Sequence, residues 1–273
     1  MLKWDSISQW GRRASDIGAT PPVSPTRDLM LEALIAHEQV DLLFQPIVHV
    51  ASGRMVGAEA LARSALTHDA ETLFARATSA ALGERLSRLV QRKALRSAAV
   101  WEGPLKDFRI AINLLPADVS RAGYDRWLLD EIDAAAIDPA RITLEITETA
   151  LLADHGSVAV RLATLREAGL KIAVDDFGTG YASLAYLTSL PLDVLKIDRG
   201  LVAQIAHRER DRIVVKALIG LARELGLQVV VEGVESAEQL ALLTEWGCDL
   251  CQGFFVAPPL SHDELTRFAA ARN

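Results

Sequence analysis

The 273-residue sequence is poor in cysteine and in aromatic residues, and it contains no long apolar run. Its two cysteines are too few for a disulfide framework. No uninterrupted apolar stretch approaches the ~18 residues that a membrane span needs. The first ten residues, MLKWDSISQW, lack the hydrophobic core of a signal peptide. Together these absences predict a cytoplasmic protein without a membrane span.

Positive charge is also scarce, because the sequence has 29 Lys and Arg residues but 36 Asp and Glu residues, which gives a net charge of −7. No long basic stretch occurs, so a wide positive face that binds a DNA or RNA duplex is not expected. If the substrate is an anion, something other than the net charge of the protein must attract it.

The two cysteines, Cys248 and Cys251, form a lone C-x-x-C pair in the stretch CDLCQGFFV. A zinc site would need a second pair of ligands, and a redox site would need a helix N-terminus. In a strand-like stretch, residues three apart point to opposite faces. We therefore predict two buried packing thiols rather than a metal or redox site.

The chain divides into a short leader and one large domain. Residues 1–26 combine a weak helical spacing with the stretch ATPPVSPT (19–26), which is typical of a linker. From residue 27 to residue 273, apolar strand-like runs alternate with longer amphipathic stretches, as in a single α/β domain. Half of all residues are hydrophobic, which is enough for a large core.

Eight candidate strands predict a modified TIM (β/α)8 barrel of the α/β class. They are 41–48, 56–61, 108–114, 142–147, 170–176, 193–198, 227–233 and 249–255. Amphipathic helices are predicted between most of them, and Gly169 and Gly226 have the position of C-terminal glycines. Only HVASGRM separates the first two strands, which is too short for a crossover helix, so we expect an irregular, partly antiparallel start.

Polar residues recur near the carboxyl ends of these strands. In chain order they are Glu59, Asn113, Glu145, Asp175 with Asp176, Lys196, Glu232 and Gln252. Each one alone has a simpler explanation as a helix cap, as Asp198 has before Arg199. In a barrel of parallel strands, however, these ends converge on the face that carries the active site. Capping does not explain the same feature in so many strands.

The five carboxylates, which share this rim with the amides of Asn113 and Gln252, would repel one another without a cation. Oxygen ligands of this kind suit Mg²⁺ or Mn²⁺. The number of acids, and the adjacent Asp175 and Asp176, favour two ions about 3.5–4 Å apart. Such ions reverse the local field so that an anionic phosphate can bind, and Lys196 could orient the attacking water. The residues thus predict metal-assisted attack on a phosphate ester, without specifying the substrate.

Seven motifs occur in order along the chain: EALAR (59–63), INLLP (112–116), LEITE (144–148), VDDFGTGYASL (174–184), LKID (195–198), VVEGVE (230–235) and CQGFF (251–255). With these motifs the chain resembles the EAL domain family of cyclic di-GMP phosphodiesterases, over residues 27–270. The resemblance implies a modified TIM barrel that hydrolyses cyclic di-GMP to linear pGpG, with homodimerisation through the loop after the Asp pair.

The resemblance also implies a role for individual residues. Metal ligands would be Glu59, Asn113, Glu145, Asp175 and Asp176. Catalytic residues would be Lys196, Glu232, Glu148 and Glu235; among them Glu232 and Lys196 would hold and orient the water, and Glu148 would anchor the loop 177–184. Substrate-binding residues would be Arg63, Leu61, Gln252 and Gly253, with Arg63 at a phosphate.

The segment 64–86 departs from the family pattern. It is shortened and rewritten, and the loop reads GYASL where the family more often has GYSSL. Two other functions stay open at this point. One is an EAL-type domain that binds cyclic di-GMP or a protein partner without cleavage. The other is an unrelated metal-dependent barrel such as an aldolase, although such enzymes lack the Asp-Asp-Phe-Gly turn.

Overall fold

The structure, a computed structural model, describes residues 27–67, 69–147, 155–178 and 184–272. The strands are β1 Asp41–His49, β2 Met55–Arg63, β3 Arg109–Leu114, β4 Ile142–Thr147, β5 Lys171–Phe177, β6 Val194–Ile197, β7 Gln228–Val231 and β8 Leu250–Cys251. The helices are α1 Leu29–Ala36, α2 Ala70–Ser79, α3 Gly83–Ala99, α4 Pro116–Ser120, α5 Tyr124–Ala135, α6 His155–Glu167, α7 Leu184–Ser189, α8 Arg199–Val202, α9 Glu209–Glu224, α10 Ala237–Glu245 and α11 His262–Arg272.

The eight strands form a closed barrel in sequence order. Strands β2 to β8 run parallel to one another, whereas β1 is antiparallel to both β2 and β8. The predicted α/β barrel with an antiparallel start is therefore confirmed. The short link between β1 and β2 forces this hairpin, because a parallel neighbour needs a crossover of a dozen or more residues.

Strand β8 is much shorter than predicted, since it covers Leu250–Cys251 rather than residues 249–255. The chain leaves the sheet where Gly253, with φ +153°, lies against the backbone of Val234. Strand β7 also ends early, at Val231. The alternating apolar pattern continues past both strands, so the sequence could not mark where the ladder hydrogen bonds stop.

Alternation along the strands separates two environments. In β5, Ile172 and Val174 belong to the main core between barrel and helices, whereas Ala173 belongs to a small apolar cluster inside the barrel. That inner cluster contains Ile47, Ala111, Ala173, Val194, Val230 and Leu250. Because side chains alternate with a period of two, the residue two positions after an inner residue is on the same face. In the five of these strands that run parallel, that residue is polar: Asn113, Asp175, Lys196, Glu232 and Gln252. In β1, which runs in the opposite direction, it is His49.

Several local predictions are confirmed. Asp198 accepts a hydrogen bond from the backbone N–H of Gly200 (2.7 Å) at the start of α8. Gly169 and Gly226 follow α6 and α9 with φ of +105° and +72°. Cys248 and Cys251 are buried free thiols, and burial raises the pKa of Cys251 to about 11, so neither is a reactive thiolate.

No helix in the described part of the chain is long and apolar enough to cross a membrane. The rewritten segment after β2 contains α2, whose Leu73 and Ala77 pack with α1 and α3 in a second apolar cluster beside the barrel. The leader and linker predicted for residues 1–26 lie outside the described residues.

Candidate active site

The Lys196 side chain is at the centre of the polar end of the barrel. It is only 1% exposed, and its Nζ atom lies within ion-pair distance of four carboxylates from different strands or their ends. The distances are 2.7 Å to Glu232, 2.9 Å to Glu145, 3.0 Å to Asp175 and 3.7 Å to Glu59. We call these five residues the acid–lysine cluster. The predicted convergence of strand ends is present, and a lysine supplies part of the counter-charge.

The adjacent carboxylates at the end of β5 face different surroundings. Asp175 pairs with Lys196, and its Oδ1 also accepts a hydrogen bond from the backbone N–H of Asp176 (2.9 Å). Asp176 has the left-handed φ of +54° at an irregularity in the β5–β6 register. Such a conformation is uncommon outside glycine but is tolerated by Asp and Asn. At this irregularity Asp176 departs from the extended backbone of β5, so the two carboxylates do not follow the simple alternation of a regular strand.

Two amides complete the cluster. The Asn113 Nδ2 atom donates to Glu59 Oε1 (2.8 Å), and Gln252 Nε2 donates to Glu59 Oε2 (2.8 Å) and to Glu232 Oε1 (3.2 Å). Burial alone would raise the pKa of Glu59, but Lys196 and these donated hydrogen bonds outweigh it and lower the pKa below its ordinary value. Glu59 is therefore held as an anion inside the protein.

Burial dominates the charge state of the other acids. It raises the pKa of Glu145 well above its ordinary value and that of Glu232 to about 8, because Lys196 offsets it only in part. Burial would lower the pKa of Lys196, but the surrounding carboxylates outweigh it and raise the pKa well above the ordinary value. The cluster thus has more acidic groups than one ammonium can keep ionised.

The donor set fits a divalent cation. Carboxylate oxygens of Asp175, Asp176 and Glu232 all lie within 4.8 Å of one another. Among the described residues, Glu145 Oε2 and Gln252 Oε1 are buried and accept no hydrogen bond, although Glu145 Oε2 is within ion-pair distance of Lys196. Oxygen donors of this kind, with unused lone pairs and excess negative charge, are the ligands of Mg²⁺ and Mn²⁺.

The remaining predicted site residues are less tightly connected. Leu61 and Arg63 lie half-buried at the end of β2, and Arg63 Nη1 donates to its neighbour, the Ala62 carbonyl (2.8 Å). Glu235 is exposed, and no contact described in the structure joins its side chain to the acid–lysine cluster. Glu148 and most of the loop 177–184 lie outside the described residues.

A buried network behind β3 was not anticipated from the sequence. The Gln91 Nε2 atom donates to Ser87 Oγ (3.0 Å) and lies 3.4 Å from the backbone carbonyl of Asn113, while the Tyr124 hydroxyl donates to Gln91 Oε1 (2.9 Å). Ser87 in turn donates to the fully buried Asp118. Two polar residues four apart on the buried face of α3 are the signal that could have revealed it. The network supports the strand that carries Asn113.

Gly253 allows the backbone after β8 to lie against Val234. A Cβ atom at this position would be 2.3 Å from both the nitrogen and the oxygen of Val234. We predict that Gly253→Ala lowers the free energy of unfolding by about 1–3 kcal/mol, since backbone atoms cannot yield as a flexible side chain can. Urea denaturation of the purified protein measures this change.

The matched control is Gly220→Ala in α9, where nothing lies within 4 Å of the new methyl group. There alanine should stabilise the protein by about 0.5–1 kcal/mol because it favours the helix. Equal stabilities of Gly253→Ala and the parental protein would contradict the close approach to Val234.

Comparison with protein families assigns residues 28–259 to the family described as EAL domain. The bifunctional diguanylate cyclase/cyclic di-GMP phosphodiesterase MucR of Pseudomonas aeruginosa is 35% identical over 242 residues, which cover 86% of this chain and 35% of MucR. The cyclic di-GMP phosphodiesterase NbdA of the same organism is 34% identical over 260 residues, or 91% of this chain and 33% of NbdA. The chain thus spans about a third of the length of these relatives.

Solved structures with the same fold include complexes. The PaMucR phosphodiesterase in complex with c-di-GMP has a TM-score of 0.78 and 34% identity, covering 87% of this chain and all of that chain. Klebsiella pneumoniae BlrP1 in a manganese/cyclic-di-GMP complex has a TM-score of 0.74 and 33% identity, covering 81% of this chain and 56% of that chain.

Proposed function

The chain belongs to the EAL domain family, and from this membership we propose that it is a metal-dependent phosphodiesterase that hydrolyses cyclic di-GMP to linear pGpG. Relatives named for this activity, and a similar structure that contains the dinucleotide, support the substrate. The proposal concerns the barrel, for which we retain the predicted bounds 27–273 after a leader of residues 1–26.

One observation carries the proposal: the acid–lysine cluster contains more buried carboxyl groups than Lys196 neutralises. Burial raises the pKa of Glu232 to about 8 and that of Glu145 well above its ordinary value, so the cluster is protonated in part without a cation. A divalent cation is the chemical group that would keep all of these oxygens anionic and also attract a phosphodiester.

We assign metal binding to Glu59, Asn113, Glu145, Asp175 and Asp176. When bound, two ions of Mg²⁺ or Mn²⁺ would supply charge stabilisation to the phosphoryl oxygens and lower the pKa of a water. The carboxylates need a fixed arrangement for this purpose. Lys196 provides it, because it is in ion-pair contact with the acids of four strand ends and is itself fully buried.

Proton movement is assigned to Glu232. Its carboxyl group lies at the edge of the cluster, 2.7 Å from Lys196 Nζ, and it is more exposed than Glu145. A carboxylate with a pKa near the working pH is suited to accept a proton from the attacking water. Lys196 holds Glu232 in place, and it would orient the water by exchanging one of its three short carboxylate contacts for the water.

Substrate binding is assigned to the rim around the cluster. Arg63 would bind a phosphate through its guanidinium group, and Leu61, Gln252 and Gly253 are assigned to other contacts with the substrate. Glu148 and Glu235 keep the catalytic roles that the resemblance implies. A homodimer and a cytoplasmic location complete the proposal, and the two free, buried thiols agree with a reducing compartment.

The experiment is an incubation of the protein with cyclic di-GMP and Mg²⁺ or Mn²⁺, followed by chromatographic separation of the products. We expect pGpG to accumulate, to disappear when a chelator is added in excess, and to return when the metal is restored. Comparison of the two metals at equal concentration determines which supports turnover better.

Equilibrium dialysis with cyclic di-GMP distinguishes the competing function, an EAL-type receptor that does not cleave its ligand. Binding without any pGpG in either metal would replace the phosphodiesterase proposal with the receptor. Neither binding nor turnover would contradict both.

A further inference from the structure

A second concave site enters the barrel from the end opposite the acid–lysine cluster. It has a volume of about 430 Å³ and is mostly apolar. Its walls include Ile47, Val56, Ala111, Val194, Val230 and Leu250. Its mouth includes the exposed His49 and Asp107 and the half-exposed Arg109 and Gln228. The buried Glu145 of the acid–lysine cluster also lines the cavity, at its inner end. The volume falls in the range of about 300–1,000 Å³ that is typical of small-molecule sites.

Small side chains in the half of the barrel opposite the acid–lysine cluster create this space. The interior of a TIM barrel is usually filled by layers of bulky branched residues. Here the inward positions of β2, β3 and β5 are occupied by Gly57, Ala111 and Ala173, and Thr143 occupies the one on β4. Because these small side chains leave space unfilled, the barrel interior loses van der Waals contacts, and the stability of the fold is lower than with a filled interior.

Two cations are close to this end of the barrel: Arg109 lines the mouth, and Lys171 lies outside the cavity lining, at the start of β5. Arg109 and Lys171 begin β3 and β5, each two residues before an inner-cluster alanine, and therefore on the inward face. In the described part of the chain neither side chain makes a hydrogen bond or an ion pair. The pKa of Lys171 is lowered by burial and then by the charge of Arg109, while the charge of Asp193, which pairs with Arg166, raises it in part. Asp107 is the acid at the mouth, and its charge raises the pKa of Arg141 against the larger lowering effect of burial.

Apolar walls beneath unpaired cations match an amphiphilic anion. We infer that this end of the barrel is a binding site for a small apolar carboxylate, whose chain occupies the cavity and whose head group pairs with Arg109 and Lys171. A guanidinium binds a carboxylate through two parallel hydrogen bonds, which gives the head group a defined position. The inference is independent of the phosphodiesterase proposal, because no part of it involves cyclic di-GMP.

The test uses octanoate as the probe and isothermal titration calorimetry on the full chain. We expect one octanoate per chain, and markedly weaker binding of octylammonium, which has the same chain and the opposite charge. Arg109→Gln and Lys171→Gln should each weaken octanoate binding about tenfold or more, as the loss of a charged hydrogen bond does. Arg85→Gln, at an exposed arginine in α3, is the matched control and should bind like the parental protein.

A second variant tests the cavity itself. Ala111→Leu places a larger side chain among the apolar walls and should abolish binding, and circular dichroism establishes whether it folds. Arg109→Gln changes only a half-exposed side chain and keeps the test decisive if Ala111→Leu does not fold. Equal affinity for octanoate and octylammonium, unchanged affinity in Arg109→Gln, or displacement of octanoate by pGpG would overturn the inference, the last because it would locate octanoate at the acid–lysine cluster.

Discussion

Replacing Asp175 by Asn should lower the turnover of cyclic di-GMP by at least about 10³-fold, which corresponds to about 4 kcal/mol of lost transition-state stabilisation. The substitution preserves size but removes the anionic oxygen that lies 3.0 Å from Lys196 and within reach of Asp176 and Glu232. In the proposed mechanism this carboxylate binds a cation, and an amide is a much weaker ligand. Rates are measured with saturating metal and substrate.

Folding should survive this substitution, since Lys196 keeps three carboxylate neighbours, and those acids lose one repulsive partner. Asp130→Asn, at an exposed position in α5, is the matched control and should retain the parental rate. If Asp175→Asn retained more than about a tenth of the parental turnover, an essential ligand role for Asp175 could not be maintained. The unfolding temperature of both variants, measured with chelator, separates lost ligation from lost structure.

Lys196→Met should impair both stability and turnover. Methionine approximates the length of lysine without its charge, so four carboxyl groups lose their common counter-ion. Removing one partner of a buried ion pair typically costs about 3–5 kcal/mol, and we expect a loss of this size in the chelated protein. Turnover should fall by orders of magnitude, because the fixed positions of the acids and of the water depend on the ammonium group.

The stability deficit of Lys196→Met should depend on pH. A carboxyl group whose pKa is higher in the folded than in the unfolded state stabilises the fold at low pH and loses that contribution as the pH rises. Burial already raises the pKa of Glu145, and that of Glu232 to about 8; loss of the ammonium raises both further. The deficit should therefore be small near about pH 5 and should grow toward pH 8, and divalent metal should recover part of it.

Urea denaturation at several pH values, with and without metal, measures this behaviour. Lys216→Met, at an exposed position in α9, controls for the loss of a lysine and should show no pH-dependent deficit. A deficit that is the same at all pH values would show that Lys196 contributes by packing alone and not by neutralising the acids.

The network behind Asn113 shows why some of the site could not be predicted. Gln91 and Tyr124 are remote from the motif residues in sequence, and their hydrogen bond forms only because α3 and α5 pack together on the outside of β3. The i, i+4 spacing of Ser87 and Gln91 is a weak local signal, and it does not identify Tyr124 as the partner. Glu235 presents the opposite situation: it lies within a motif, yet its side chain is exposed.

The sequence by itself determined the barrel and the types of residue at its polar end. Strand period, turn glycines and the short β1–β2 link are local properties, and a carboxylate at a strand end can be identified without coordinates. Those properties sufficed for eight strands, the antiparallel hairpin and the acids at 59, 145, 175, 176 and 232.

Tertiary structure alone decided how these charges are balanced and where the barrel is left unfilled. Lys196 contacts its partners only because closure of the barrel brings four acids within 3.7 Å of one ammonium group: Glu59, Glu145, Asp175 and Glu232. The cavity likewise depends on small residues of separate strands meeting at one level. Both features depend on residues that are far apart in the sequence, and a local sequence pattern carries no information about the distance between such residues in space.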